Sequence, residues 1–292
     1  MIKFLKKNRF ILLTTALILF LCIIPILYNF SNNSSLKKEI FSFIKENNIE
    51  MSKFYVSDGY INRNAYIAHG GGINEFTYTN CLEAIQDSID KKFKFIEIDM
   101  LISSDGHIVG GHDWKLFRKM TGIQDDCDSA LDVNTIKSLK IKNQFTPILG
   151  KDILNFMKKN DFILITDKIR DYKLLTAEIP LVDRMIVEVF SPEDYLKALQ
   201  SGVKFPAYRI KNKKHFEIAQ DFSFPIVTMD ANSFFNDDSS INNVQILHNS
   251  GVTILLYYTE FRDKDKPEFI HKYLGKTVSK IYTDSLSPIN FP

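Results

Sequence analysis

Eight short runs rich in β-branched and aromatic residues recur after residue 64, most of them followed by a longer stretch in which apolar and charged positions alternate at helical spacing. The runs are AYIAH (65–69), KFIEIDMLI (94–102), FILITD (162–167), MIVEVF (185–190), FPAYRI (205–210), PIVTMDA (225–231), VTILLYY (252–258) and KIYTD (280–284). Their length and composition predict strands, and the intervening stretches predict helices over 80–92, 149–160, 192–201, 212–220, 241–250 and 267–275. SPEDYLKALQSG shows the helix boundaries best: Ser191 has N-cap chemistry, Pro192 takes the first helical position, Glu193 and Asp194 suit the positive helix end, and Gly202 closes it. Eight parallel strands alternating with helices is the arithmetic of an α/β protein, specifically a (β/α)8 TIM barrel. A doubly wound open sheet gives a similar pattern. The barrel is the expectation once the site chemistry is added.

The 292 residues, 45% of them apolar, supply one large core, so a single main domain is expected over 61–292. The net charge of +2 arises from 37 basic and 35 acidic residues spread along the chain, a distribution without the basic footprint of a nucleic-acid partner. The beginning of the chain is different. Lys3, Lys6, Lys7 and Arg9 precede an uncharged stretch over 10–30, long enough as a helix to cross a ~30 Å hydrocarbon layer. This reads as a cytoplasmic basic flank (1–9) and a transmembrane signal anchor (10–30), with everything after Asn32 outside the cytoplasm. No small-x-small cleavage site follows, which favours an uncleaved anchor, and Phe20-Leu21 before Cys22 lacks the small residue a lipoprotein site requires. The expected protein is therefore single-pass and membrane-anchored through this helix, with an extracytoplasmic domain. Residues 31–60 read as a linker, a polar hinge (31–35) followed by an amphipathic stalk or flap helix (36–48). Cys81 and Cys127 lie in the exported part, where a disulfide is chemically allowed. Two unpaired thiols are expected, Cys81 packed under a helix.

The stretch FIEIDMLISSDGHIVGGHDW (95–114) carries the chemistry. Strand alternation turns Glu97 and Asp99 to the same, inward face, where two carboxylates repel unless a cation joins them. Ca²⁺ or Mg²⁺, which take oxygen ligands, resolves the conflict; a Lys or Arg partner is the alternative. His69 ends the first strand, at the rim where barrel active sites are built. The glycines after it, from Gly70, either bring backbone N–H groups close to an anion or form a plain turn. With His112 added, two imidazoles and two carboxylates form an acid/base and metal constellation. Residues 103–161 depart from a regular barrel repeat, with a Ser-Asp-Gly turn, a short strand in HIVGGHD and the polar stretch GIQDDCDSALD. Glu188 alternates inward, and Asp284 is either a strand-end cap or a site residue. Trp114, Tyr257 and Tyr258 read as core in preference to a groove. His107, His215, His248 and His271 read as solvated surface.

The segment YIAHGGG…NCLEAI…FIEIDMLISSDGHIVGGHDWKLFRKMTG resembles the glycerophosphodiester phosphodiesterase family, densely over 65–122 and more thinly to 288. The family's opening His-Arg-Gly, Glu-Asn-Thr, Glu-x-Asp, Thr-x-Asp-Gly turn and His-Asp have counterparts here in the same order, as His-Gly-Gly (69–71), Thr-Asn-Cys (79–81), Glu-x-Asp (97–99), Ser-Ser-Asp-Gly (103–106) and His-Asp (112–113). The resemblance implies that His69 and His112 act as general base and acid, that Glu97, Asp99 and Asp167 hold a divalent cation, and that Gly70, Asn80 and Lys168 face substrate; the inward Glu188 and Arg209 are further candidates to contact it. It further implies that a substrate hydroxyl attacks phosphorus and that water then opens the cyclic phosphate. The implied partners are a glycerophosphodiester, a phospholipid head group or a phosphodiester-linked polymer. Three positions depart from the family. Gly70 replaces its Arg, and Arg209 is a candidate to supply the missing cation. Thr79 replaces its Glu. Lys168 follows Asp167 directly, which in a regular strand points it away from the face Asp167 uses. The alternatives are a catalytically inactive barrel that binds phosphorylated glycan or lipid, and a phospholipase C- or D-like enzyme. A glycoside hydrolase fits less well, since its paired carboxylates sit on different strands.

Overall fold

A computed structural model describes residues 33–49, 54, 63–125, 127–231, 238–257, 273–274 and 277–290. The chain divides into two compact units, 1–48 and 49–292. In the first, residues 33–46 are helical. Asn33, Ser34 and Ser35, expected in a hinge, open this helix instead, in keeping with the N-terminal preference of such residues. The expected membrane span lies outside the described residues, among which no helix is long and apolar enough to cross a membrane.

The described residues of the second unit hold nine strands: β1 (Tyr66–Ala68), β2 (Phe95–Ile102), β3 (Ile108–Gly110), β4 (Ile163–Asp167), β5 (Met185–Val189), β6 (Phe205–Ile210), β7 (Ile226–Asp230), β8 (Thr253–Tyr257) and β9 (Lys280–Thr283). All but β3 are parallel and follow one another around the ring, and pairing of β1 with both β2 and β9 closes it. The closed ring distinguishes the barrel from the open sheet that the same alternation allows. Every expected run became a barrel strand, and each contributes at least one buried apolar side chain to the interior. Ile67, Ile165, Ile186, Ala207, Ile226 and Leu255 share the interior. Phe54 stands edge-on to Phe95 and Phe205, residues near the N-terminal ends of their strands, with centroids 6.2 and 4.9 Å away. Burying each of the larger aliphatic side chains contributes roughly 1.5–3 kcal/mol.

The helices around the ring are α1 (Leu82–Asp90), α2 (Trp114–Met120), α3 (Val133–Ser138), α4 (Gly150–Lys159), α5 (Tyr172–Glu178), α6 (Pro192–Gln200), α7 (Lys213–Phe222) and α8 (Asp238–Asn249). At α6 the Ser191 hydroxyl accepts from the Asp194 N–H at 3.1 Å, the cap its sequence predicts. Most of the expected helix over 267–275 lies outside the described residues. The excursion after β2 is more ordered than its composition suggests. It contains α2 and α3, and Trp114, Phe117, Val133, Ile136 and Leu149 form a second small core with Cys81. Buried Arg118 ties down the following polar stretch through Asp125 (2.7 Å) and the Ser129 carbonyl. Cys81 caps α1, its Sγ accepting from the Ala84 N–H, and both Cys81 and Cys127 are free thiols. His248, expected at the surface, is buried: it lies one turn after Val244 on the inward face of α8. His107 is exposed as expected; His271 and Tyr258 lie outside the described residues.

Candidate active site

Register builds the acidic floor. The β2–β4 pairing places Asp99 directly beside Asp167, and the two-residue period of β2 brings Glu97 to the same inward face. Each residue offers a carboxylate oxygen, and these oxygens lie within 4.8 Å of one another. Burial, reinforced by Asp99 and Asp167, holds the Glu97 carboxyl well above the usual carboxylate range. Asp99 is pushed up to about 8 by burial and by Asp167. Asp167 Oδ1 is buried without a hydrogen-bond partner among the described residues. Crowded hard-oxygen donors, one of them an orphan, fit a divalent cation such as Ca²⁺ or Mg²⁺.

Two residues expected to face substrate, Gly70 and Asn80, hydrogen-bond the acids of the floor. Gly70, expected to face substrate, donates its N–H to Glu97 Oε2 at 2.8 Å. Its φ of 57° and the Tyr78 backbone 2.7 Å from where a Cβ would stand explain why glycine occupies the position in which the resembled family has Arg. Asn80, likewise expected at the substrate, is fully buried beside Asp99. Its Nδ2 donates to Asp99 Oδ2 at 3.0 Å, and its Oδ1 accepts from the Asp99 N–H at 2.9 Å. Both residues hydrogen-bond acids of the triad, and neither lines the pocket.

The two histidines share the pocket with these acids. His69 Nδ1 lies 2.9 Å from Asp284 Oδ1, and His112 Nδ1 lies 2.7 Å from Asp113 Oδ2. Because a carboxylate accepts, each Nδ1 is placed to donate, which leaves Nε2 as the ring nitrogen available for chemistry. Asp113 also caps α2 through the Leu116 N–H. Burial opposes its charge, yet that N–H and His112 together hold its carboxyl below the usual range. Tyr78 contacts both imidazoles, its ring centroid 4.8 Å from that of His69 and 6.3 Å from that of His112. Asp284, read either as a strand-end cap or as a site residue, stands against the His69 ring. Tyr78 and Asp113, which contact the histidines, were not singled out in the sequence. Asp113 had a signal, an acid directly after His112 and before a helix; Tyr78 had none.

Arg209, Glu188, Lys168 and Tyr257 form a polar wall. Arg209 Nη1 lies 3.0 Å from Glu188 Oε2 and 3.7 Å from Asp167 Oδ2, while its Nε donates to the Tyr257 hydroxyl at 2.9 Å. The Thr228 hydroxyl donates to Glu188 Oε1. Burial pushes Glu188 up to about 6 even though Arg209 opposes the shift. Tyr257 belongs to the buried barrel core, as expected, and also lines the pocket. Lys168 corrects its expected orientation. Its φ of 65° breaks the strand alternation and returns its Nζ to within 3.6 Å of Asp167 Oδ2.

No protein-family model matches the sequence. No curated protein matches it either. Solved structures do. A glycerophosphoryl diester phosphodiesterase from Parabacteroides distasonis aligns with TM-score 0.61 and 17% identity over 82% of this chain and 88% of its own. The chain has the fold of these phosphodiesterases. The Thermotoga maritima glycerophosphodiester phosphodiesterase aligns with TM-score 0.58 and 18% identity, covering 77% of this chain and 96% of that one. An Oleispira antarctica phosphodiesterase, solved in complex with the product sn-glycerol-3-phosphate, aligns with TM-score 0.59 and 17% identity over 77% of this chain and 94% of its own.

Proposed function

We propose that this protein hydrolyses glycerophosphodiesters, using His69 and His112 as its proton-transfer pair and Glu97, Asp99 and Asp167 to hold a divalent cation. The observation that carries the reading is the pair of imidazoles, each anchored at Nδ1 by a carboxylate and both lining the pocket of the acidic triad. A pure binding pocket has no use for two imidazoles prepared in this way. The names of the structures that share the fold support the same reaction class, and the product in the Oleispira protein supports a glycerol phosphate unit in the substrate.

In the proposed reaction, the glycerol hydroxyl next to the phosphate attacks phosphorus while one imidazole takes its proton at Nε2. The other imidazole protonates the departing alcohol as the phosphorus–oxygen bond breaks. Water then opens the cyclic phosphate with the two roles exchanged, giving glycerol phosphate. A bound cation supplies Lewis-acid stabilisation of charge on the phosphoryl oxygens. Arg209 provides the nearby positive charge that Gly70 lacks, held protonated by Glu188 and Tyr257 against the opposing effect of burial. Asp284 and Asp113 fix the ring orientations. The uncharged stretch 10–30, with its basic flank, supports a barrel anchored on the extracytoplasmic face of a membrane.

The test is turnover by the full-length chain in detergent, offered a panel of glycerophosphodiesters and lysophospholipids with Ca²⁺, with Mg²⁺ and with chelator. The expected result is cation-dependent release of a phosphomonoester that His112→Ala abolishes. Absence of turnover across the panel, with a cation still raising Tm, favours a binding barrel.

A further inference from the structure

Three cations meet on one aromatic ring beside the pocket. The Arg170 guanidinium carbon lies 3.8 Å from the Phe190 ring centroid, the Lys211 ammonium 5.1 Å and the Arg209 guanidinium carbon 5.4 Å. Arg170 follows β4, Phe190 follows β5 and Lys211 follows β6, so three adjacent strand ends deliver the cluster to the rim where the pocket opens. Each contact with the ring face is favourable, but the cations repel one another. Among the described residues, neither Arg170 nor Lys211 has a carboxylate within ion-pair distance. After burial, the charge of Arg209 is the largest influence holding the Lys211 ammonium below its ordinary range, and Lys168 and Arg170 add to it. Arg209 and Lys168 also line the catalytic pocket. A continuous positive path therefore leads from the reacting centre to the Phe190 ring, and only its inner end is balanced by acids.

We propose that Arg170, Lys211 and Phe190 form a second phosphate subsite adjoining the catalytic pocket, so that the preferred substrate is a glycerophosphodiester with a further phosphate on the alcohol it releases. This rests on the phosphodiesterase reading and names its substrate class. The second phosphate is either a terminal monoester or the next diester of a chain. Both present the oxygens that guanidinium and ammonium groups recognise, and an anion there relieves the repulsion among the cations. The apolar ring fixes where the long cationic side chains stand, which lowers the ordering cost of binding.

The experiment compares full-length wild type with Arg170→Glu and Lys211→Glu on three substrates: glycerophosphoglycerol, its terminal phosphate monoester, and the homologue with a second diester link. The expected wild-type KM is about tenfold or more lower for at least one two-phosphate substrate than for glycerophosphoglycerol, the order of one charge-assisted contact. Which of the two is favoured separates monoester from chain. In either variant that KM ratio should collapse toward one. Equal KM values in wild type, or a ratio that survives both substitutions, overturns the subsite. Calorimetric titration of the same compounds into His112→Ala provides a readout independent of turnover. If no substrate is hydrolysed, the phosphodiesterase reading falls. Tenfold tighter binding of a two-phosphate compound, lost on adding Arg170→Glu, then still supports the subsite, and equal affinities overturn it.

Discussion

Asn80 holds Asp99 at two points, its amide nitrogen on the carboxylate and its amide oxygen on the backbone N–H. This clamp fixes both the rotamer of a proposed cation ligand and the strand backbone at the residue that carries it. Replacing Asn80 with Ala leaves two buried polar groups of Asp99 without partners. The expected cost is about 2–4 kcal/mol of stability and roughly 10- to 100-fold in cation affinity. Chemical denaturation in chelator, followed by cation titration monitored through Tm, checks both. Retained affinity in a folded N80A protein shows that Asp99 needs no such clamp.

The acidic floor sets how stability changes with pH when no cation is bound. Asp99 is pushed up to about 8 in the folded protein, from an ordinary value of about 4 in the unfolded chain. Between those values the folded state binds more protons than the unfolded state, so stability is greatest below the lower value and declines as pH rises toward the upper one. In chelator, Tm should therefore fall from about pH 5 to about pH 8. Saturating Ca²⁺ or Mg²⁺ should raise Tm more at the higher pH, because the cation compensates the charges that form there. A cation-induced gain that is larger at pH 5 contradicts the assignment of Glu97, Asp99 and Asp167 as its ligands.

How far the sequence reveals the site depends on whether its backbone is regular. Glu97 and Asp99 were legible because strands alternate strictly, and Asp167 because a resembled motif ended a strand-like run. That Asp99 and Asp167 are neighbours follows from the barrel register, which composition alone does not specify. Lys168 was misplaced because its positive φ breaks strand alternation, and the positive φ of Gly70 and Asn80 likewise sets their hydrogen bonds to Glu97 and Asp99 beyond what a strand pattern describes. Tyr78, also at positive φ, reaches both histidines from a loop whose path no hydrophobic period describes. The small core around α2 and α3 was hidden by the charged residues of its connecting stretch.

The Gly70 loop makes a prediction against the resemblance. Restoring the family's residue with Gly70→Arg should not improve the enzyme. Any Cβ there meets Tyr78 Cα and N at 2.7 Å, backbone atoms that cannot rotate away, and φ is 57°. Both Gly70→Ala and Gly70→Arg should lose about 2–4 kcal/mol of stability. Both should also lose activity, because Tyr78 is displaced between the histidines and the Gly70 N–H leaves Glu97. Parallel melting and rate measurements on the two variants decide it; a G70R protein that is both stable and faster sinks the steric account.

The pairing of His69 with Asp284 is open to a graded test. A carboxylate at Nδ1 does two things: it accepts the ring proton, which keeps Nε2 as the reactive atom, and its charge stabilises the imidazolium formed during proton transfer. Asp284→Asn keeps an oxygen that can accept but removes the charge, whereas Asp284→Ala removes both. We expect kcat to fall about 100-fold or more in Asp284→Ala and by less in Asp284→Asn, with KM changing far less than kcat in each. The carboxylate is one-third exposed, so neither substitution should greatly alter Tm. A fall in Tm that accounts for the lost activity assigns Asp284 to the fold. An equal and small effect of both substitutions on kcat removes His69 from proton transfer and leaves His112 with Asp113 as the pair to examine.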